Sequence, residues 1–224
     1  MATRSTWQAL CARHALFLAL TTWVAGSAWP QASTNPNLNA QLLVAARNGD
    51  VAAVERALAQ GAAPNSRNRL GKSALVLACE KGHAALAAAL QRAQADVNLA
   101  SLEGVTPLIA CSYGGHAAIV RELLRAGART EPMDRMHKTA LVYAAAQGHA
   151  DVVGLLLDAG MAIDATDERQ LTALMWAAGQ GQPDVVKLLL QRGARSELRD
   201  DRGLSALDIA RQQSHADVVR LLAR

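Results

Sequence analysis

Residues 106–116, Thr106-Pro107-Leu108-Ile109-Ala110-Cys111-Ser112-Tyr113-Gly114-Gly115-His116, decide the fold. Thr106 before Pro107 reads as a helix start. The threonine hydroxyl can accept from an amide that the first turn leaves unpaired, and a proline at the first helical position gives up only an N–H that would have no partner there. A short helix follows, with small residues where a neighbouring helix must approach. Gly115 ends it, because glycine enters the left-handed conformation cheaply. His116 opens the next segment.

Working outward, the same grammar recurs. Gly49, Gly82, Gly115, Gly148 and Gly181 lie 33 residues apart, and Ser214 continues the series. Leu42, Leu75, Leu108, Leu141, Leu174 and Leu207 keep the same period. Two series in one register over six units establish an internal repeat. A second helix is visible in His149-Ala150-Asp151-Val152-Val153-Gly154-Leu155-Leu156-Leu157, whose Val and Leu recur three and four apart to make one apolar face. It ends at Gly160, and the extended stretch Ala162–Asp167 leads to the next cap. The spacing predicts an all-α solenoid of about six helix-turn-helix units with protruding hairpin loops, at 38–70, 71–103, 104–136, 137–169, 170–202 and 203–224.

These residues resemble the ankyrin repeat family, whose period is 33 and whose signature is Thr-Pro-Leu-His-x-Ala-Ala-x-x-Gly-His. The resemblance covers residues 38–224 and implies a protein-binding solenoid, while saying little about the partner. The departures carry expectations of their own. Ala74, Ala140, Ala173 and Ala206 replace the proline, and Leu43, Val76, Ile109, Val142, Met175 and Asp208 replace the motif histidine. Without that histidine the loops are expected to be held more by packing than by hydrogen bonds. His137 and Gln170 stand where the family usually has glycine, which leaves the turn geometry there open. The polar end units, with Arg47, Asn48, Asp50, Glu55 and Arg56 at one end and Asp208, Arg211, Gln212, Gln213, Ser214 and His215 at the other, read as caps.

Composition agrees with thin helical layers. Hydrophobic residues make up 51% of the chain, yet only seven are aromatic, so the core must be built on Ala, Leu and Val rather than on large rings. At the N-terminus, Arg4 and Arg13 are the only charges before an apolar run from Ala15 to Ala25, followed by Gly26-Ser27-Ala28. That order reads as a signal peptide over 1–28, since the run is short of the roughly 20 residues a spanning helix needs. Residues 29–37 read as a flexible leader. Removing 1–28 takes away two arginines and no acid, lowering the formal charge from +4 to +2. Such a charge supports neither nucleic acid nor an anionic membrane surface as a partner.

Candidate chemistry is sparse. His83, His116, His149 and His215 recur at one repeat position, but helices about 8–10 Å apart cannot bring equivalent histidines to one zinc ion, so no metal site is expected. The same spacing places the Cα atoms of Cys79 and Cys111 near or beyond the roughly 7 Å limit for a disulfide, and two buried thiols are favoured. Asp134, Asp167 and Asp200 read as turn residues. No nucleophile–base pair or phosphate-binding loop stands out, and neither catalysis nor a cofactor is expected.

The family resemblance implies docking on loop tips and the concave side of the first helices. The tips offer Arg67, Arg69, Leu70 and Lys72; Leu102, Glu103 and Val105; Met133, Arg135, Met136 and Lys138; Glu168, Arg169 and Leu171; and Arg199, Asp201, Arg202 and Leu204. On the first helices, Glu80, Lys81, Tyr113, Gln147 and Gln180 face the same way. Leu70, Leu171 and Leu204 either stitch adjacent loops together or contact the partner. Tyr143 and Trp176 share a repeat position and are favoured as stacking residues of the first helices. The expectation is a monomeric, exported protein-interaction module, periplasmic or secreted, resembling small bacterial ankyrin proteins. The alternatives are a membrane-tethered adaptor with an uncleaved N-terminal anchor, or an enzyme with a site built across repeats.

Overall fold

In a computed structural model, residues 35–223 are described. The expected signal peptide and Trp29 to Thr34 of the expected leader lie outside them. Twelve helices form six antiparallel pairs: α1 (Pro36–Asn48) with α2 (Val51–Ala59), α3 (Ala74–Lys81) with α4 (Ala84–Arg92), α5 (Pro107–Tyr113) with α6 (Ala117–Arg125), α7 (Ala140–Gln147) with α8 (Ala150–Asp158), α9 (Ala173–Gly179) with α10 (Pro183–Gln191), and α11 (Ala206–Gln212) with α12 (Ala216–Leu222). The first helix begins two residues before the unit boundary read from the sequence, with the Asn35 side chain accepting from Asn37 N–H at 3.0 Å.

Each later first helix starts as Thr106 suggested. Ser73, Thr106, Thr139, Thr172 and Ser205 accept from the amide three residues on. Ser205 also donates to Asp208, whose carboxylate takes the Ser205 amide, so the residue replacing the last motif histidine completes a capping box. The odd-numbered helices form an inner row that packs more closely than the even-numbered outer row, which curves the stack. Small side chains allow that approach: Ala74, Ala78, Ala144, Ala145, Ala177 and Ala178 are almost fully buried.

The leucine row is core from end to end with one exception. Leu42, Leu75, Leu108, Leu141 and Leu174 are at most 2% exposed. Leu207, in the last described unit, is only half-buried. The loops carry two isolated antiparallel bridges, Arg67 with Ser73 and Thr166 with Thr172, and no sheet among the described residues.

The glycine row has a reason beyond helix termination. Gly82 has φ +72°, and a Cβ there would lie 2.4 Å from the His116 ring of the next unit. Gly49, Gly115 and Gly181 meet His83, His149 and His215 in the same way, while Gly148 meets Gln182. Ser214, which continues the row, takes the same left-handed conformation at φ 59°. The histidine row is thus a stacking device. His149 Nε2 lies 3.0 Å from Tyr113 O, His215 Nε2 lies 3.1 Å from Gly179 O, and Gln182 Nε2 donates to Ala146 O at 3.3 Å. Gln182 therefore reproduces the contact of a histidine Nε2–H without a titratable ring. Burial first, then the neighbouring His149, holds His116 below the usual histidine pKa.

Two expectations are corrected. Cys79 and Cys111 form a disulfide joining α3 to α5, with Cα atoms 4.5 Å apart. A spacing of about 8–10 Å separates helix axes, but each Cα stands about 2.3 Å off its axis, and here both stand on the facing sides. The loops are also held by hydrogen bonds, at all five positions between units, not mainly by packing. Asn68, Ser101, Asp134, Asp167 and Asp200, again 33 apart, each accept from the amides two and four residues on. The turn-residue reading of the three aspartates stands, and the row that does this work was hidden by its mixed composition. Neighbouring units are tied as well, with Asn65 accepting from Asp96 N–H and Asn98 from Arg129 N–H, both at 2.8 Å. His137 and Gln170 keep the turn geometry, at φ 56° and 59°, in a region that non-glycine residues enter at some cost.

Candidate partner-binding surface

One position of the first helices runs along the concave face: Val44, Leu77, Ala110, Tyr143, Trp176 and Ile209. Three shallow grooves follow this row. Their side walls come from the loop tips, because each loop folds back over the start of its own first helix.

The Asp loops and the aromatic positions are coupled. Besides the two backbone amides on one carboxylate oxygen, Asp134 accepts from Tyr143 OH on the other at 2.5 Å, and Asp167 accepts from Trp176 Nε1 at 2.9 Å. Burial, and then the Asp134 hydrogen bond and charge, push the Tyr143 pKa far above the usual tyrosine range, with smaller contributions from Tyr113 and Glu103. In the fifth loop Ile209 has no donor to offer, and the Arg202 guanidinium takes the free oxygen of Asp200 at 2.6 Å. Burial raises the Asp200 pKa, but the amide of Leu204 and the side chain and amide of Arg202 outweigh it, so the carboxyl sits below the ordinary aspartate range. The Asp–x8–Tyr/Trp spacing was visible in the chain and was not read.

The ring reading holds for Tyr143 and needs changing for Trp176. Tyr143 meets Tyr113 edge to face, centroids 5.7 Å apart, an arrangement aromatic rings favour. Trp176 instead carries the Lys138 ammonium 3.9 Å from its centre. Of the three leucines that could either stitch loops or contact a partner, Leu171 is buried in the core, Leu204 is half-buried, and Leu70 is exposed.

Of the residues assigned to this surface, Leu171 is buried, Lys72, Glu80, Val105, Lys138 and Leu204 are half-buried, and the others are exposed. Several are already engaged. Lys72 and Glu80 pair at 2.6 Å, Arg169 with Asp201 at 3.7 Å, and Arg199 with Asp208 at 3.5 Å. Glu168 receives His137 Nε2 at 3.0 Å, Arg67 donates to Ala100 O, and Arg202 is bound to Asp200 as above. Arg69, Lys81, Glu103 and Arg135 have no ion-pair partner among the described residues, and Met133, Met136, Gln147 and Gln180 lie open.

The signature of ankyrin repeats, in three copies, matches residues 42–134, 86–167 and 141–224. The chain belongs to the ankyrin repeat family. No curated protein matches it. As an ankyrin-repeat protein it carries the scaffold that this family uses for protein–protein contact. No group of three or more His, Cys, Asp or Glu side chains among the described residues is arranged to hold a metal, and no described helix is long and apolar enough to cross a membrane.

Proposed function

We propose that this ankyrin-repeat protein is exported by a bacterium and works, periplasmic or secreted, as a monomeric adaptor. It binds one protein through its loop tips and concave face. The observation that carries the choice of face is the distribution of exposed apolar side chains. Val44, Leu70, Leu102, Tyr113, Met133 and Met136 are the exposed large hydrophobics of the described residues, and all lie on tips or on the concave side. Clustered apolar exposure beside arginine is the composition of a contact surface. The disulfide supports export, since such bonds persist in oxidising compartments.

Crosslinking in the native host followed by mass spectrometry tests the reading. One dominant crosslinked protein is expected, and its capture is lost in Arg69→Glu with Arg135→Glu while the fold is retained. Capture that ignores both changes moves the contact to another face. The same preparation tests export: a soluble chain beginning near Trp29 is expected, whereas a full-length chain in the membrane fraction makes it a tethered adaptor.

A further inference from the structure

Two of the concave grooves run into each other, because Lys72 and Glu80 line both. Their mutual ion pair at 2.6 Å neutralises the junction. On the N-terminal side the groove has an apolar floor of Leu43, Val44 and Leu77, with Leu70 overhanging it. Arg47 and Lys81 stand on its rim, and neither has an ion-pair partner among the described residues. On the other side the floor is Val105 and Ile109, and the walls are Tyr113 and Tyr143. The charge there is Glu103, which has no ion-pair partner among the described residues. The groove is therefore dipolar: two uncompensated cations at one end, and one uncompensated carboxylate beside two rings at the other.

That charge pattern selects a complement. Carboxylates on an occupant suit Arg47 and Lys81, and like charge there is costly. A lysine or arginine side chain suits Glu103 with the exposed face of Tyr113, where charge and ring quadrupole act together. Neighbouring inner helices lie about 8–10 Å apart, and an extended chain advances about 3.3 Å per residue. The two ends are then spanned by about three to four residues of a strand crossing the helices.

We propose that this groove holds an extended segment of the partner protein, with a carboxylate next to an apolar side chain at the Arg47 and Lys81 end. A basic residue about three to four positions along occupies the Glu103 and Tyr113 end. The inference rests on the adaptor reading above and deepens it by naming the chemistry of the bound segment.

The probe is a random dodecapeptide phage library selected on the mature chain, with the recovered peptides synthesised and titrated by fluorescence anisotropy. Peptides pairing Asp or Glu beside Leu, Ile or Phe with a downstream Lys or Arg are expected. Arg47→Glu with Lys81→Glu should weaken them at least about tenfold, and Glu103→Lys should do so separately. Exchanging the peptide's acid for lysine should restore binding to the Arg47→Glu, Lys81→Glu variant, a rescue that a misfolded protein cannot show. The proposal is overturned if the peptides ignore these changes, if no charge exchange rescues, or if the groove proves occupied by the chain's own residues 29–34 or by a second copy. The first case appears as binding only after deletion of that segment, the second as a dimer that the Arg47 and Lys81 changes dissociate. A host partner still captured by the groove variants overturns this inference alone; the absence of any host partner overturns the adaptor reading.

Discussion

The two halves of the solenoid share one backbone plan and spend their side chains differently. In the third to fifth loops the acceptor is an aspartate, whose second oxygen binds Tyr143, Trp176 or Arg202. In the first two loops the acceptor is Asn68 or Ser101, and the positions nine residues on are Leu77 and Ala110, which have nothing to donate. Four of the six exposed large hydrophobics precede the first aspartate loop, and the other two, Met133 and Met136, flank its Asp134; farther along, Trp176 is half-buried and Ile209 buried. The disulfide also lies in the N-terminal half. An aspartate with a spare oxygen draws aromatic or cationic groups inward. A neutral acceptor leaves the neighbouring surface open, and here that part of the stack is covalently stapled.

The largest expected effect breaks the symmetry of the leucine row. Leu141→Ala should cost about 2–5 kcal/mol, as removal of a fully enclosed leucine does, whereas Leu207→Ala should cost clearly less because its site is half-open. Urea unfolding of both variants measures this; equal losses would mean that the last unit is packed as tightly as the fourth. Next comes the staple. Reduction, or Cys79→Ala with Cys111→Ala, should lower stability by about 2–4 kcal/mol, and thiol labelling of the denatured, unreduced protein should find neither cysteine reactive. Two reactive thiols would remove the covalent difference between the halves.

Asp167→Asn should be smaller, about 1–3 kcal/mol, because it leaves Trp176 Nε1–H without its charged acceptor. A red-shifted Trp176 emission is expected, and Asn68→Ala should leave that emission untouched. The smallest effect concerns pH. His116 is held below its unfolded pKa of about 6.5, so its contribution is fully present above that value and is lost as pH falls through the folded pKa. His116→Gln copies the natural Gln182 and should flatten the melting temperature between neutral and mildly acidic pH. An unchanged slope would show that His116 does not carry the pH dependence.

The first helices, their caps and the period were legible because local rules set them: a hydroxyl or carboxylate cap, a left-handed glycine and an apolar face are each written within a dozen residues. The tips of the candidate surface were legible for the same reason, since loop position follows from the register. The disulfide was misread because its geometry depends on which sides of two helices face each other, not on the distance between their axes. The loop acceptors were missed because Asn, Ser and Asp do one job with three compositions. The coupling of Asp134 to Tyr143 and Asp167 to Trp176 was missed because each pairs a loop with a helix nine residues away.

By itself, the sequence determined the repeat, the helices, the buried leucine row and the position of the loop tips, because each follows from short-range chemistry repeated in register. Only the tertiary structure decided that Cys79 meets Cys111 and that each histidine or Gln182 lies on the preceding unit's glycine. It also decided which charges are paired within the fold and which have no ion-pair partner among the described residues. Those outcomes depend on distances between units, and side chains 32 to 36 residues apart become neighbours only when the units stack.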